Sequence, residues 1–215
     1  MNRYSGKKGN TSAQKVFTLL YNRLMSFTEK AYYQERFNRL DLTRDKIQGV
    51  VFEECEFLDC SFIDCRLEKC KFISCKFQGC VLSAVVPMDC RLQEAKFSEC
   101  KVIGIDWTKA QQVENLDFSE CQVNYSSFKL MKVPKIRMVK CEAREVDFTE
   151  ADLSNGEFRN TDFEKSRFFK TNLSGADFKG ATNYYIDVKN NTLKKTRFSL
   201  PEALTLLESL DIVLE

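Results

Sequence analysis

Large apolar residues recur at every fifth position through most of this chain. They run Phe57, Phe62, Leu67, Phe72, Phe77, Leu82, then Leu92 and Val102, and after a one-residue slip near Ala110 they resume at Val113, Phe118, Val123 and Phe128. The series continues through Phe148, Leu153, Phe158, Phe163, Phe168, Leu173 and Phe178 to Leu193 and Phe198. A small residue stands two positions earlier. Cys55, Cys60, Cys65, Cys70, Cys75, Cys80, Cys90, Cys100, Cys121 and Cys141 all occupy that slot, and only the last is followed by a small partner, Ala143. The remaining three positions of each five are mostly polar. A period of five is neither the 3.6 of an amphipathic helix nor the 2 of a half-buried strand. It predicts a chain that turns every five residues, with one small and one large residue of each five pointing inward. Four such turns make a square coil of about twenty residues, and coils stack at the strand spacing of about 4.8 Å. The repeat can be traced over residues 35–198, about eight coils, which gives a rod of about 38 Å.

The ends depart from the grid. Residues 1–34 are read as a polar tail followed by a helix over 12–34. Val16, Leu19, Leu20, Leu24 and Phe27 form its apolar face, and Ser12 serves as N-cap. Residues 199–215 are read as a capping helix and a short strand. Ser199 and Glu202 have capping-box spacing, Pro201 falls in the first turn, and Leu200, Leu204, Leu207 and Leu210 make a stripe with Leu206 beside it. A solenoid exposes unpaired backbone at its ends and needs covers there. The two terminal segments are placed to supply them. Leu204, Leu207, Leu210, Ile212 and Val213 are the expected cap and dimer residues.

Composition changes this picture little. The polar start and the lack of an 18-residue apolar run predict a cytoplasmic chain without a membrane span. The ten cysteines are expected to be reduced, buried packing residues. With no histidine in the chain and a cysteine spacing of five, zinc-site patterns are not met, and no metal or cofactor is expected. The usual catalytic triads are excluded by the same absence, and no phosphate-binding glycine motif occurs. The chain is therefore read as not an enzyme.

The net charge of +2 is unevenly spread. Residues 1–44 carry nine Lys/Arg against three Asp/Glu, while the remainder is net acidic. The second residue of each repeat is basic in the early coils (Arg66, Lys71, Lys76, Arg91, Lys96, Lys101) and mostly acidic later. An irregular repeat, Val85-Val-Pro-Met-Asp, puts Pro87 in a large-residue slot, where it has no N–H for the ladder and is expected to distort its coil.

Ala151-Asp-Leu-Ser-Asn, Thr171-Asn-Leu-Ser-Gly and Ala176-Asp-Phe-Lys-Gly match the A-(D/N)-L-x-x consensus of pentapeptide repeats. Over residues 35–198 the chain resembles that family, and its tail resembles the Qnr/McbG-like quinolone-resistance and immunity subgroup. The resemblance implies an all-β solenoid, a right-handed quadrilateral β-helix, with a C-terminal helix that joins two protomers end to end. It also implies a protein-binding rod that modulates or protects DNA gyrase or topoisomerase IV against drugs or toxins, without direct nucleic-acid binding. A scaffold for an unrelated protein partner is the alternative reading. Two sets of outward residues are candidates for the contact. One is the carboxylates Asp147, Asp152, Asp162 and Asp177, suited to a basic groove. The other is the apolar set Met88, Leu130 and Phe169, assigned to one face.

Overall fold

The structure is a computed structural model, and it describes residues 27–210 and residue 212. The five-residue grid becomes a four-sided parallel β-solenoid, and each residue pairs with the one twenty further on. Across the Ala110 slip the step becomes 21, as in Arg91↔Gln112 and Lys96↔Asp117. Taken in chain order, the first face is the sheet Ala31–Tyr33, Val51–Glu53, Lys71–Ile73, Arg91–Gln93, Gln112–Glu114. The second is Arg36–Asn38, Glu56–Leu58, Lys76–Gln78, Lys96–Ser98, Asp117–Ser119, Arg137–Val139. The fourth is Lys46–Gln48, Arg66–Glu68, Val86–Met88. The third face is held by single bridges, Asp41↔Ser61↔Val81↔Lys101↔Gln122.

The corners explain the fifth position of the repeat. Most of these residues have φ near +50° to +60°, the left-handed region, for example Asp59, Glu94 and Asn155. Glycine takes this slot at Gly49, Gly79 and Gly104, where the conformation costs it nothing. The interior is the expected column of rings. Phe57, Phe77, Phe97 and Phe118 stack face to face at 4.8–5.0 Å, the strand spacing carried into the core. Phe148 and Phe168 do the same at 5.1 Å.

The ten cysteines are all unpaired by disulfides and buried. They do more than fill space. Cys80 Sγ donates to the carbonyls of Phe57 (3.3 Å) and Gln78 (3.5 Å) and accepts the N–H of Cys60 at 3.4 Å. Cys100 repeats the pattern with Phe77, Ser98 and the N–H of Cys80. The N–H groups of Cys60 and Cys80 are corner donors outside the ladders, and buried backbone donors need such an acceptor. In later coils the Ser126 and Thr161 hydroxyls take over the same bonds, and Thr171 keeps the donation to the Phe148 carbonyl. Burial pushes the thiol pKa values of Cys65 and Cys75 up to about 12, so these two stay protonated.

Several expectations are corrected. The solenoid starts four residues before 35: Ala31–Tyr33 is a strand paired with Val51–Glu53, so the segment read as helical cannot extend to 34. The Tyr32 ring decides this, since it stacks on Phe52 at 5.5 Å as an interior residue of the first coil. Phe27 lies over that coil end, 4.7 Å from Phe52 and 5.4 Å from Phe37. The other apolar residues assigned to that helix, and its N-cap Ser12, lie outside the described residues. At the other end the helix is short, a 3₁₀ turn Glu202–Leu204 leading into an α-turn, α1, at Thr205–Glu208. The capping box is absent. Ser199 Oγ instead accepts the N–H of Gly180 at 2.9 Å, closing the last coil. The grid also loosens over 183–190. There Phe168 pairs with Ile186 instead of a residue twenty ahead, and Asn172↔Thr192 restores the register. Pro87 does not disturb its own strand, which keeps register with Leu67 below.

Candidate functional site

Pro87 and the Ala110 slip are one feature of the rod. Elsewhere an interior N–H donates to the second residue of the next coil, as Leu82 does to the Lys101 carbonyl. Pro87 has no N–H to give to Asp106, and the chain directly above it leaves the strand as a 3₁₀ turn, Trp107–Lys109. The extra residue is spent in that turn. The Asp106 carboxylate caps it by accepting the N–H of Thr108 at 3.1 Å, and the Ala110 N–H folds back to the Trp107 carbonyl at 3.0 Å. Inside, the Trp107 indole takes the space the small Pro87 ring leaves and stacks under Phe128 at 5.9 Å. A void of about 20 Å³ remains among Leu67, Pro87, Leu92 and Trp107.

Outside, the turn leaves a ledge, and a groove of about 740 Å³ runs along it from the fourth face round the corner to the first. Asp106, Thr108, Gln111 and Glu114 line one wall, with Lys129, Leu130, Met131 and Lys132 on the other. Leu130 is 63% exposed and holds φ +62°. That is the left-handed corner shared by the repeats, and it turns the Leu130 side chain outward. Tyr125, one corner earlier, has the same character at φ +60° and 61% exposed.

The sequence-selected residues distribute differently from expectation. Met88 and Phe169 lie on the fourth face, with Leu130 at its corner, but no two of the three sit on neighbouring coils. Lys109 follows Asp89 in the ladder, and Thr149 stands between Leu130 and Phe169. Phe169 has a different exposed neighbour, Tyr185, with which it lines a hollow beside Arg167 and Thr149. The four carboxylates occupy four different faces: Asp147 the fourth, Asp152 the first, Asp162 the third and Asp177 the second. They cannot meet one flat surface together.

Their local chemistry explains why aspartate stands there. Each accepts the N–H two residues ahead: Asp147 from Thr149, Asp152 from Ser154, Asp162 from Glu164 and Asp177 from Lys179. This is the Asx turn that lets the chain round the corner. Asp177 is only 4% exposed and is clamped by Arg159 at 2.7 Å and Arg197 at 3.6 Å. Burial alone raises its pKa, but the Arg159 guanidinium, the Lys179 N–H and the charge of Arg197 outweigh that and hold it below the usual carboxylate range. Asp162 is likewise held low by Asn183 and Arg144 against the push of burial.

Charges stacked twenty residues apart neutralise one another up the rod. Glu56 bridges Arg36 (2.7 Å) and Lys76 (3.1 Å), and Arg137 bridges Asp117 (2.9 Å) and Glu157 (2.8 Å). The basic-then-acidic reading of the second position thus becomes alternating ladders on the second face. At the C-terminal end Leu206 packs on the core, whereas Leu204 and Leu210 of the expected cap are 48% and 38% exposed. Leu207 is half-buried, Ile212 is 50% exposed, and Val213 lies outside the described residues. Among the described residues no group of cysteines and carboxylates is arranged to hold a metal ion, and no helix is long and apolar enough to cross a membrane.

Two sequence profiles match the coil: a pentapeptide repeat region over residues 50–128 and pentapeptide repeats (8 copies) over residues 145–182. The chain belongs to the pentapeptide-repeat family. Comparison with curated proteins finds no match. Among solved structures it is similar to QnrB1, a plasmid-mediated fluoroquinolone resistance protein. A trypsin-treated variant of QnrB1 superposes with a TM-score of 0.64 at 16% identity, covering 88% of this chain and 93% of the other. A second trypsin-treated variant gives 0.65 at 17%, with 86% and 97% covered. Full-length QnrB1 gives 0.61 at 16%, with 85% and 100% covered. At this identity the likeness is one of fold.

Proposed function

We propose that this chain is a non-catalytic protein-binding rod of the cytoplasm that acts as a Qnr-like modulator of DNA gyrase or topoisomerase IV, protecting the enzyme against a drug or toxin. The observation that carries the reading is the extent of the fold likeness: 85% of this chain overlies all of full-length QnrB1. The binding chemistry is that of an outer face, since the interior is filled by stacked rings. The vertical ion-pair ladders favour contact through one mixed apolar and charged face over bulk negative charge. On this reading the fourth face and its corner, with Leu130, Phe169 and Tyr185, make the contact, and any share of Asp147 is local to it.

The test is a pull-down against gyrase and topoisomerase IV, paired with fluoroquinolone susceptibility of expressing cells. The expected result is binding that survives neutralising Asp152, Asp162 and Asp177 to Asn, falls with Leu130→Asn and Phe169→Asp, and accompanies reduced susceptibility. Absence of both binding and protection refutes the proposal and leaves the second reading, a scaffold for an unrelated protein. That reading is favoured by the same neutralised ladders, because a DNA-like rod needs uncompensated negative charge.

The same proposal includes a homodimer through the C-terminal end. Leu200 (75% exposed), Leu204, Leu210 and Ile212 form an apolar set larger than the cover of the last coil requires, since Leu206 supplies that cover. Deleting residues 199–215 is expected to give a monomer or an aggregate with an open coil end. Intact protein sedimenting as a monomer at tens of micromolar refutes the dimer.

A further inference from the structure

We infer that the ledge above Pro87 is a docking groove for an extended, acidic segment of a partner protein, added alongside the Lys129 backbone. The inference deepens the binding-rod reading and rests on it. Three observations meet there. First, the ladder is broken. At regular corners the fifth-position N–H donates to the fourth-position carbonyl of the next coil, as Asp59 does to Gln78 and Leu130 to Thr149. At the ledge the Ala110 N–H turns back to Trp107, so the Lys129 carbonyl loses its ladder donor, and among the described residues no backbone N–H replaces it. An incoming strand offers the missing N–H, as in recognition by strand addition.

Second, the charges around the groove are unevenly satisfied. Its carboxylates are engaged within the chain. Asp106 is held by Thr108 and Lys109, Glu114 by Gln93 and Gln112, and the neighbouring Asp152 by the Ser154 N–H and Asn172. Lys129 and Lys132, on the opposite wall, make no ion pair among the described residues. The next charge along the chain, Lys135, is also without one. Lys129 and Lys132 are therefore the charged groups of the groove left without a partner, and acidic side chains of a bound segment can pair with them. Third, Leu130 stands between those lysines in a conformation that holds it out of the core, with half-buried Met131 beside it. Together they give an apolar seat for one side chain of the segment. The freed carbonyl and this seat favour a polypeptide over a nucleic acid, which brings phosphates but no matching backbone N–H.

The probe is a fluorescein-labelled peptide of alternating glutamate and valine, tested by anisotropy on the full chain, with a lysine–valine peptide and oligothymidylate as competitors. The expected result is binding of the acidic peptide that weakens with salt. Lys129→Glu with Lys132→Glu is expected to weaken it about tenfold. Leu130→Asn, which suits the left-handed corner and so keeps the fold, is expected to weaken it as well. Lys194→Glu with Lys195→Glu, remote from the ledge, is expected to change nothing. Equal binding by all variants, a preference for the basic peptide, or displacement by oligothymidylate alone overturns the inference. Since no topoisomerase enters this experiment, its failure leaves the outcome of the pull-down standing on its own.

Discussion

Phe77→Ala is expected to lower the stability of the rod by about 3–5 kcal/mol, the range for emptying a large, well-packed aromatic site. The ring is 3% exposed and sandwiched between Phe57 and Phe97 at 4.8 Å on each side, with Phe62 and Phe72 meeting it at an angle. The coils above and below are tied by parallel ladders and cannot close on the hole. Phe198→Ala provides the contrast. Its ring is half-buried and stacks on one side only, against Phe178 at 5.3 Å. Its loss is expected to cost about half as much, because stability in a solenoid is close to a sum over neighbouring coils. Urea unfolding followed by circular dichroism measures both. A cost below about 1 kcal/mol at Phe77 would mean that the stacked column contributes little to stability.

The inward half of this molecule is readable from the chain, because a period of five admits one geometry. Phe57, Phe77, Phe97 and Phe118 fall on one column as soon as the grid and its slip are recognised. The outward half is much less readable, for a reason visible in particular residues. Asp147, Asp152, Asp162 and Asp177 look alike in sequence, yet a five-residue turn rotates successive repeats by a quarter of the coil, so four similar residues land on four faces. Their carboxylates are also committed locally to Asx turns, which the consensus aspartate signals and a count of charges does not. Pairing at a distance of twenty, as in Arg36, Glu56 and Lys76, likewise disappears when residues are read consecutively. The ledge left two separate marks, Pro87 and the extra residue near Ala110. The signal that joins them is their separation of about one coil. The break at 183–190 left a weaker one, Tyr184 where the grid calls for a polar residue, and that ring is buried.

The cysteine slot gives the sharpest test of how sequence and fold are joined here. If Cys100 were only a small apolar filler, alanine would replace it at little cost. The structure gives its sulfur three backbone partners: it accepts the Cys80 N–H at 3.3 Å and lies 3.4 Å from the Phe77 carbonyl and 3.2 Å from that of Ser98. Cys100→Ala leaves the Cys80 N–H buried without an acceptor, and a loss of about 1–3 kcal/mol is expected. Cys100→Ser is expected to be milder. Ser126 already performs the same task one corner away, donating to the Val102 carbonyl and accepting the Ile105 N–H, each at 3.2 Å. Cys100→Asp is the extreme case. A carboxylate at a site 1% exposed, facing two carbonyl oxygens, has no cation to pair with, and a loss above about 4 kcal/mol with failure to fold is expected. The order serine, alanine, aspartate in rising cost is the prediction, read by thermal and urea unfolding of the three variants. Alanine equal to or better than serine would return the thiols to the role of inert packing and remove the hydrogen-bonded corner from the account of this fold.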